Sequence, residues 1–398
     1  MHYLIGLISI AAIIFLSWLF CFDRKAIRFR HVGIMILIQF FLAFLLLNTS
    51  IGNIIIGSIS KGFEILLSYA NEGVNFVFGN VVNVGQFNFF INVLLPIVFI
   101  SALIGILQYL KILSFIIKGI GYLLSKVNGM GRLESYNAIA ALILGQQEVF
   151  ISIKKELPYL PERRLYTLCT SAMSTVSMAI VGAYMNILKP EYVVIAIILN
   201  LFGGFIIASL INPYQLDAQA QQLDEMPEEG KQSFFQMLGE YILDGFKVAV
   251  VVGAMLIGFI ALIGMINSIF AAIFGISFIQ ILGYVFSPLA YLMGISGSEC
   301  VKAGEVMATK LMSNEFVAMD LFNQHLDNFS ARSQAILSVF LVSFANFSSI
   351  GIISGALRAL DEKQGQAIAK HGLRLLYGAS LVSLLSATIV GLVFDFHF

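Results

Sequence analysis

The sequence predicts an all-α polytopic membrane protein with about eight transmembrane helices and two oppositely oriented re-entrant hairpins in an inverted repeat. Three observations carry this prediction. The chain is 59% hydrophobic and 12% charged, where soluble domains run at about 25% charged, and its mean hydropathy is +0.91. The stretch Leu133 to Ile153 is long enough to cross a bilayer, yet Lys126 and Arg132 precede it and Lys154, Lys155, Arg163 and Arg164 follow it. Basic residues gather on the cytoplasmic side, so a spanning helix has them at one end, whereas a hairpin that dips in and returns has them at both. A second interrupted apolar region, 278–316, holds Gly294, Ser296, Gly297, Ser298, Glu299, Lys302, Glu305, Lys310 and Glu315. Counted along the chain, it starts from the opposite side of the membrane.

The elements follow in order. Tyr3 to Phe22 lacks a basic leader and a small-residue cleavage site, so it reads as a retained first helix. Arg24, Lys25, Arg28 and Arg30 place the next loop in the cytoplasm and the N-terminus outside. A second helix, about 32–57, returns outward, and about 60–85 carries Lys61, Glu64, Asn71 and Glu72 at the spacing of an amphipathic surface helix. A third span, about 88–110, runs inward, and an amphipathic stretch of about 112–127 leads along the cytoplasmic face into the first hairpin. From Leu165 the chain crosses outward to Lys189 and Pro190, then returns through about 191–212. The polar segment Asn212 to Gln232 is a linker, followed by a long helix, about 238–268. After the second hairpin come a span of about 331–356, running inward, and a last one of about 374–394, which leaves the C-terminus outside. Thr170 to Ala183, TSAMSTVSMAIVGA, also matches Ser343 to Ala356, SFANFSSIGIISGA, faintly and without gaps, with Thr175 opposite Ser348. With two hairpins of opposite polarity, this fits the inverted repeats of secondary transporters, whose substrate sits where interrupted helices meet.

Near the middle of the first hairpin stand Gly145, Gln146, Gln147 and Glu148. Irregular polar backbone at membrane depth is tolerated only where it is buried in protein or lines a cavity, so this tip faces a solute. Ionisable groups inside a bilayer cost about 2.5–3.5 kcal/mol each, which singles out Glu148 and Glu315. Each carboxylate can accept ribose hydroxyls or hold a proton; the structural alternative is a partner for a nearby Lys or Arg. Gln146, Gln147, Asn346 and Ser349 suit a polar, uncharged solute, against the alternative of interhelical hydrogen bonding. Glu299 and Glu305, beside Lys302 and Lys310, read equally as structural pairs, and Asp244 with Lys247 as a local ion pair. Cys21, Cys169 and Cys300 read as packing residues, and the five His lack zinc-like spacing, so no metal site is expected. The net charge of zero argues against nucleic acid. No P-loop or catalytic triad is present, which disfavours an ATP-driven pump or an enzyme and leaves no organic cofactor.

Gly145 to Glu148 matches a GQ-x-E signature, Asn314 to Ala318 reads NEFVA, and Ser343 to Ile350 reads SFANFSSI. In these motifs, and over nearly its whole length, the chain resembles the concentrative nucleoside transporters, closest to their bacterial NupC-type branch. The resemblance implies an inner-membrane homotrimer whose protomers each divide into a scaffold and a transport domain that moves as an elevator. On this division 1–127 holds N-terminal scaffold helices with amphipathic segments, and 128–212 the first hairpin and two helices of the transport domain. Residues 213–235 form a cytoplasmic linker, 236–270 a long scaffold helix, and 271–398 the second hairpin and two further transport helices. The resemblance places Gln146, Gln147 and Glu148 toward the nucleobase, Glu315, Asn346 and Ser349 on the ribose, and Phe344 in the pocket wall. It also implies a helix unwound within Ser174 to Tyr184. Sodium-coupled members carry an Asn and a Ser where this chain has Ala141 and Ala179, neither with a side-chain oxygen. A hard cation wants several oxygens, so proton coupling is expected, with Glu148 or Glu315 as carrier; sodium-coupled nucleoside symport and free nucleobase transport are the alternatives. Gln147 stands where many members have Thr or Ser.

Overall fold

A computed structural model describes residues 2–79, 88–214 and 233–394. Most of the expected linker and the end of the expected 60–85 helix lie outside the described residues. The chain begins with α1 (His2–Leu19), α2 (Phe29–Asn48) and α3 (Ser50–Phe78). Here the structure corrects the expected boundary between a 32–57 span and a 60–85 helix. The break falls at Thr49, whose backbone is extended (φ −123°, ψ 153°) and whose hydroxyl accepts from the Gly52 amide at 3.1 Å. This N-cap begins a new helix in the middle of an apolar run, where hydropathy alone sees no boundary.

A π-helical turn, Phe90–Leu94, leads into α4 (Ile97–Tyr109), and the amphipathic α5 (Ile112–Asn128) follows as expected. The first hairpin is α6 (Arg132–Leu144), an irregular tip, and α7 (Val149–Ser152). Then come α8 (Glu162–Ser174), α9 (Met178–Met185) and α10 (Pro190–Ile211). α11 (Phe234–Phe274) has 41 residues, longer at both ends than expected; at 1.5 Å per residue it extends about 60 Å. Gly275 ends it at φ 76°, and a Ser277–Gln280 capping box opens α12 (Phe278–Leu292).

The second half continues with α13 (Cys300–Met312), α14 (Glu315–Gln324), α15 (Ala331–Leu341), α16 (Phe347–Leu360), α17 (Glu362–Lys370) and α18 (Gly372–Val393). Two expectations change here. The span of about 331–356 is two helices separated by an unwound segment at 342–346, and Glu315 lies beyond the second hairpin, on the first turn of α14. Among the described residues, seven helical stretches are long and apolar enough to cross a membrane: α2, α3, 90–109, α8 with α9, α10, α11 and α18. Shorter apolar helices at Leu4–Leu19, Phe278–Leu292 and Phe347–Leu360 accompany them.

The core lies around α8, α10 and α18, whose residues are mostly buried, with α1 and α2 leaning on α10 and α18. α4 and α11 form a separate pair along their length. A Cβ on Gly245 would lie 2.8 Å from that of Ser101, so the missing side chain sets how closely these two helices approach.

The internal repeat is visible in the backbone. Gly145 ends α6 at φ 116° and Gly294 follows α12 at φ 95°, so each hairpin turns on a glycine in a conformation other residues avoid. α8 breaks before α9 and α15 before α16, with Ser177 and Asn346 as the respective N-cap residues. The two breaks touch: the Phe344 amide donates to the Thr175 carbonyl at 3.2 Å. The breaks thus pair Ser177 with Asn346, a different register from the ungapped match that set Thr175 opposite Ser348.

Candidate functional site

The candidate site is built around Glu315. Asn314 is extended (φ −160°), and its side chain accepts from the Val317 amide at 3.0 Å, so α14 starts at Glu315 and places that carboxylate at a helix N-terminus, where negative charge is favoured. Glu315 is buried and both its oxygens are engaged. Tyr184 Oη donates to Oε1 at 2.8 Å, and Asn346 Nδ2 donates to Oε2 at 3.0 Å. Tyr184 belongs to α9 of the first half and Asn346 caps α16 of the second, so one carboxylate ties both unwound helices together.

Asn346 does two jobs. Its Oδ1 accepts from the Ser349 amide at 2.9 Å and the Ser348 hydroxyl at 2.7 Å, which leaves Nδ2 to face Glu315. The network fixes the amide orientation. Phe344 is buried in the same unwound segment, and the buried Ser349 hydroxyl has no partner among the described residues.

The tip of the first hairpin supplies the other side. Gln146 is half-buried and its sealed Oε1 has no partner among the described residues, Gln147 is exposed, and Glu148 is half-buried. Glu148 folds back on the turn: a Cβ on Gly145 would lie 2.8 Å from Glu148 Oε2 and 3.2 Å from Ser177 Cβ. The tip therefore rests on the first break, and α7 packs against α16, which Asn346 caps. Ala141 is buried, with its carbonyl accepting from the Gly145 amide at 3.0 Å, and Ala179 is half-buried. Among the described residues there is no group of three or more His, Cys, Asp or Glu that could hold a metal ion. All three cysteines are free thiols.

Several charged residues behave otherwise than their spacing suggested. Lys302 pairs with Glu305 at 3.0 Å, and Glu299 accepts from the Ser330 amide at 3.1 Å and hydroxyl at 3.3 Å, so both carboxylates are structural. Lys310 does not join them; it is fully buried and donates to the Phe340 carbonyl, Ser343 Oγ and Ser383 Oγ. Asp244 and Lys247 are exposed on α11 and form no ion pair with each other, contrary to expectation. Sequence reasoning missed Tyr184, although an apolar helix that carries a tyrosine must still find a partner for its hydroxyl. It also passed over Glu134 and read Arg164 only as a topology charge. They form a buried two-point ion pair, with Arg164 Nη2 2.8 Å from Glu134 Oε2, that fastens α6 to α8.

Two touching helix breaks with a buried carboxylate held between them, and a polar hairpin tip resting on the first break, are the architecture of a membrane transporter. The chain belongs to the concentrative nucleoside transporters, in their bacterial NupC-type branch. Residues 8–81 match the family described as Na+ dependent nucleoside transporter N-terminus, 90–191 the one described as Nucleoside recognition, and 192–391 the Na+ dependent nucleoside transporter C-terminus. The chain is 34% identical to the purine nucleoside transport protein NupG of Bacillus subtilis over 98% of each chain. It is 30% identical to the nucleoside permease NupC of Helicobacter pylori, covering 98% of this chain and 97% of that one. A solved structure of CNTnw, in an inward-facing substrate-bound state, superposes with a TM-score of 0.91 at 31% identity, over 99% of this chain and 98% of the other. These relatives are transporters, and the chain is a nucleoside transporter, not an enzyme.

Proposed function

We propose that this chain imports nucleosides across the cytoplasmic membrane by proton symport, as a homotrimer whose protomers each carry a site and move it as an elevator, with both termini outside. The observation that carries the reading is a pair of sealed side-chain oxygens without partners among the described residues, Gln146 Oε1 and Ser349 Oγ, which come from opposite halves of the repeat. A buried polar atom without a partner costs about 1–3 kcal/mol. A nucleoside offers both kinds of missing partner: base edges toward Gln146, Gln147 and Glu148, and ribose hydroxyls toward Glu315, Asn346 and Ser349, with Phe344 against the solute. The same cost supplies the coupling. Empty tips are expensive in a closed, dry site, so the substrate must satisfy them before the domain crosses.

The coupling ion follows from Ala141 and Ala179. Two of the three matched families are described as Na+ dependent, but neither alanine offers a side-chain oxygen, and the Ala141 carbonyl already accepts from the Gly145 amide. Glu148 or Glu315 then carries the proton. Uptake of labelled uridine and adenosine into proteoliposomes tests the whole reading. An inward proton gradient should drive accumulation, a protonophore should abolish it, and sodium should make no difference. Ribose-bearing analogues should compete and free bases should not. Sodium-driven uptake indifferent to a pH gradient would replace the proton, and competition by free bases alone would replace the nucleoside.

A further inference from the structure

The ammonium of Lys310 has no exposed surface, in the middle of a membrane bundle. A buried charge is tolerated only when its donors are met. Among the described residues no carboxylate forms a salt bridge with it; its three donors go to the Phe340 carbonyl, Ser343 Oγ at 2.7 Å and Ser383 Oγ at 3.2 Å. An ammonium has three donors and no acceptor, so these three oxygens satisfy it completely. The two hydroxyls are themselves 2.7 Å apart, and the charge lies 4.4 Å from the centre of the Phe340 ring, in cation–π range.

Two of the three oxygens belong to the end of α15, where the helix stops and its last carbonyls lose their partners. Each of the carbonyls around the stop has a substitute donor. Phe340 takes Lys310, Leu341 takes the Ser343 amide at 2.9 Å, and Val342 takes Asn200 Nδ2 at 2.6 Å. In discontinuous membrane helices, freed carbonyls of this kind are what coordinate a transported cation. The first break differs. Thr175 is held by neutral groups, its own hydroxyl on the Ser171 carbonyl and the Phe344 amide on its carbonyl, and among the described residues no lysine reaches it.

We propose that Lys310 is a tethered cation that occupies the second break in place of a bound ion, and that it is a positioning residue for the ribose side of the site. It pins the chain at Phe340 and Ser343, the next residues present Phe344 and Asn346, and Asn346 holds Glu315. The second break then needs no ion from solution, and any ion dependence of transport belongs to the first. This inference rests on the reading that Glu315 and Asn346 contact the solute.

The test uses the full-length protein in proteoliposomes and compares Lys310→Met, Lys310→Ala, Ser383→Ala and Asn346→Ala. Lys310→Met keeps the length of the stem but strands the Phe340 carbonyl and removes the donor that ties it to Ser343 and Ser383, which keep only each other, so KM for uridine and adenosine should rise by about tenfold or more while kcat changes less. Methylammonium should bring the KM of Lys310→Ala back toward wild type, a rescue that mere space-filling would not give. If the lysine variants fail to assemble, Ser383→Ala removes one acceptor from a helix outside the site and should raise KM about threefold. A normal KM in Lys310→Met or Ser383→Ala beside a crippled Asn346→Ala overturns the tethered cation and leaves the site standing. Normal uptake in Asn346→Ala overturns the site reading, and the inference with it.

Discussion

Glu315 accepts from two donors on two different helices, which makes it sensitive to a change as small as oxygen to nitrogen. In Glu315→Gln the amide nitrogen must face either the Tyr184 hydroxyl or the Asn346 amide, both of which are donating. Hydrogen bonds to a charged group are worth about 1.5–3 kcal/mol each, so uptake should fall by about a hundredfold while size-exclusion elution of the assembly is unchanged. Tyr184→Phe removes one of the two bonds and should raise KM about tenfold or more, read from uptake at varied nucleoside concentration. Glu315, Asn346 and Ser349 stood out in the sequence as a carboxylate and neutral polar groups inside apolar runs, and the structure brings Glu315 and Asn346 into contact. Tyr184 did not stand out, because an aromatic in such a run reads as filler until the partner of its hydroxyl is known. Lys310 was grouped with Glu305, five residues away in the sequence, although residues at that spacing do not share a helix face. Its real partners lie 30 to 73 residues further on.

At the scale of the element, hydropathy locates spans but not the places where they stop. Thr49, the 342–346 break and the Ser313–Asn314 junction all fall inside apolar stretches, and each is set by one capping side chain that an averaged window dilutes. The hairpin tips were legible because glycine and charge cluster there, and the structure ranks their glycines. Gly145 sits at φ 116° with Glu148 Oε2 and Ser177 beside the place a Cβ would occupy, whereas a Cβ on Gly297 would meet nothing within 4 Å. Gly145→Ala therefore adds backbone strain of about 1–3 kcal/mol and pushes the Glu148 carboxylate off the turn. Its melting temperature and its uptake should both fall. Gly297→Ala, in the second tip, should melt and transport as wild type. Equal behaviour of the two variants would show that the first tip is not held in its observed turn.

For the whole molecule, the inverted repeat could be read from two odd segments of opposite polarity, but its register could not, because small residues recur in membrane helices and align by chance. Only the Phe344–Thr175 hydrogen bond fixes which residues face each other. The repeat also locates the surface that elevator motion would have to shear. Gly182 of α9, just past the first break, packs on Leu67 and Phe63 of α3; a Cβ there would lie 3.7 Å from Leu67 Cγ and 3.7 Å from Phe63 Cδ1. Leu67 falls in the proposed scaffold and Gly182 in the proposed transport domain. A cysteine at 67 would put its sulfur near the present Leu67 Cγ, within reach of a second cysteine at 182 for a disulfide. The native thiols are a modest background, since Cys169 and Cys300 are buried and Cys21 is half-buried. If the two domains slide past each other, oxidised Leu67→Cys/Gly182→Cys transporter should take up no more nucleoside than empty liposomes, and a reductant should restore uptake. Each single variant should be indifferent to oxidant. Sustained uptake by the fully cross-linked protein would mean that α9 stays on α3 throughout the cycle, and the elevator would have to give way to local opening of the two hairpin tips.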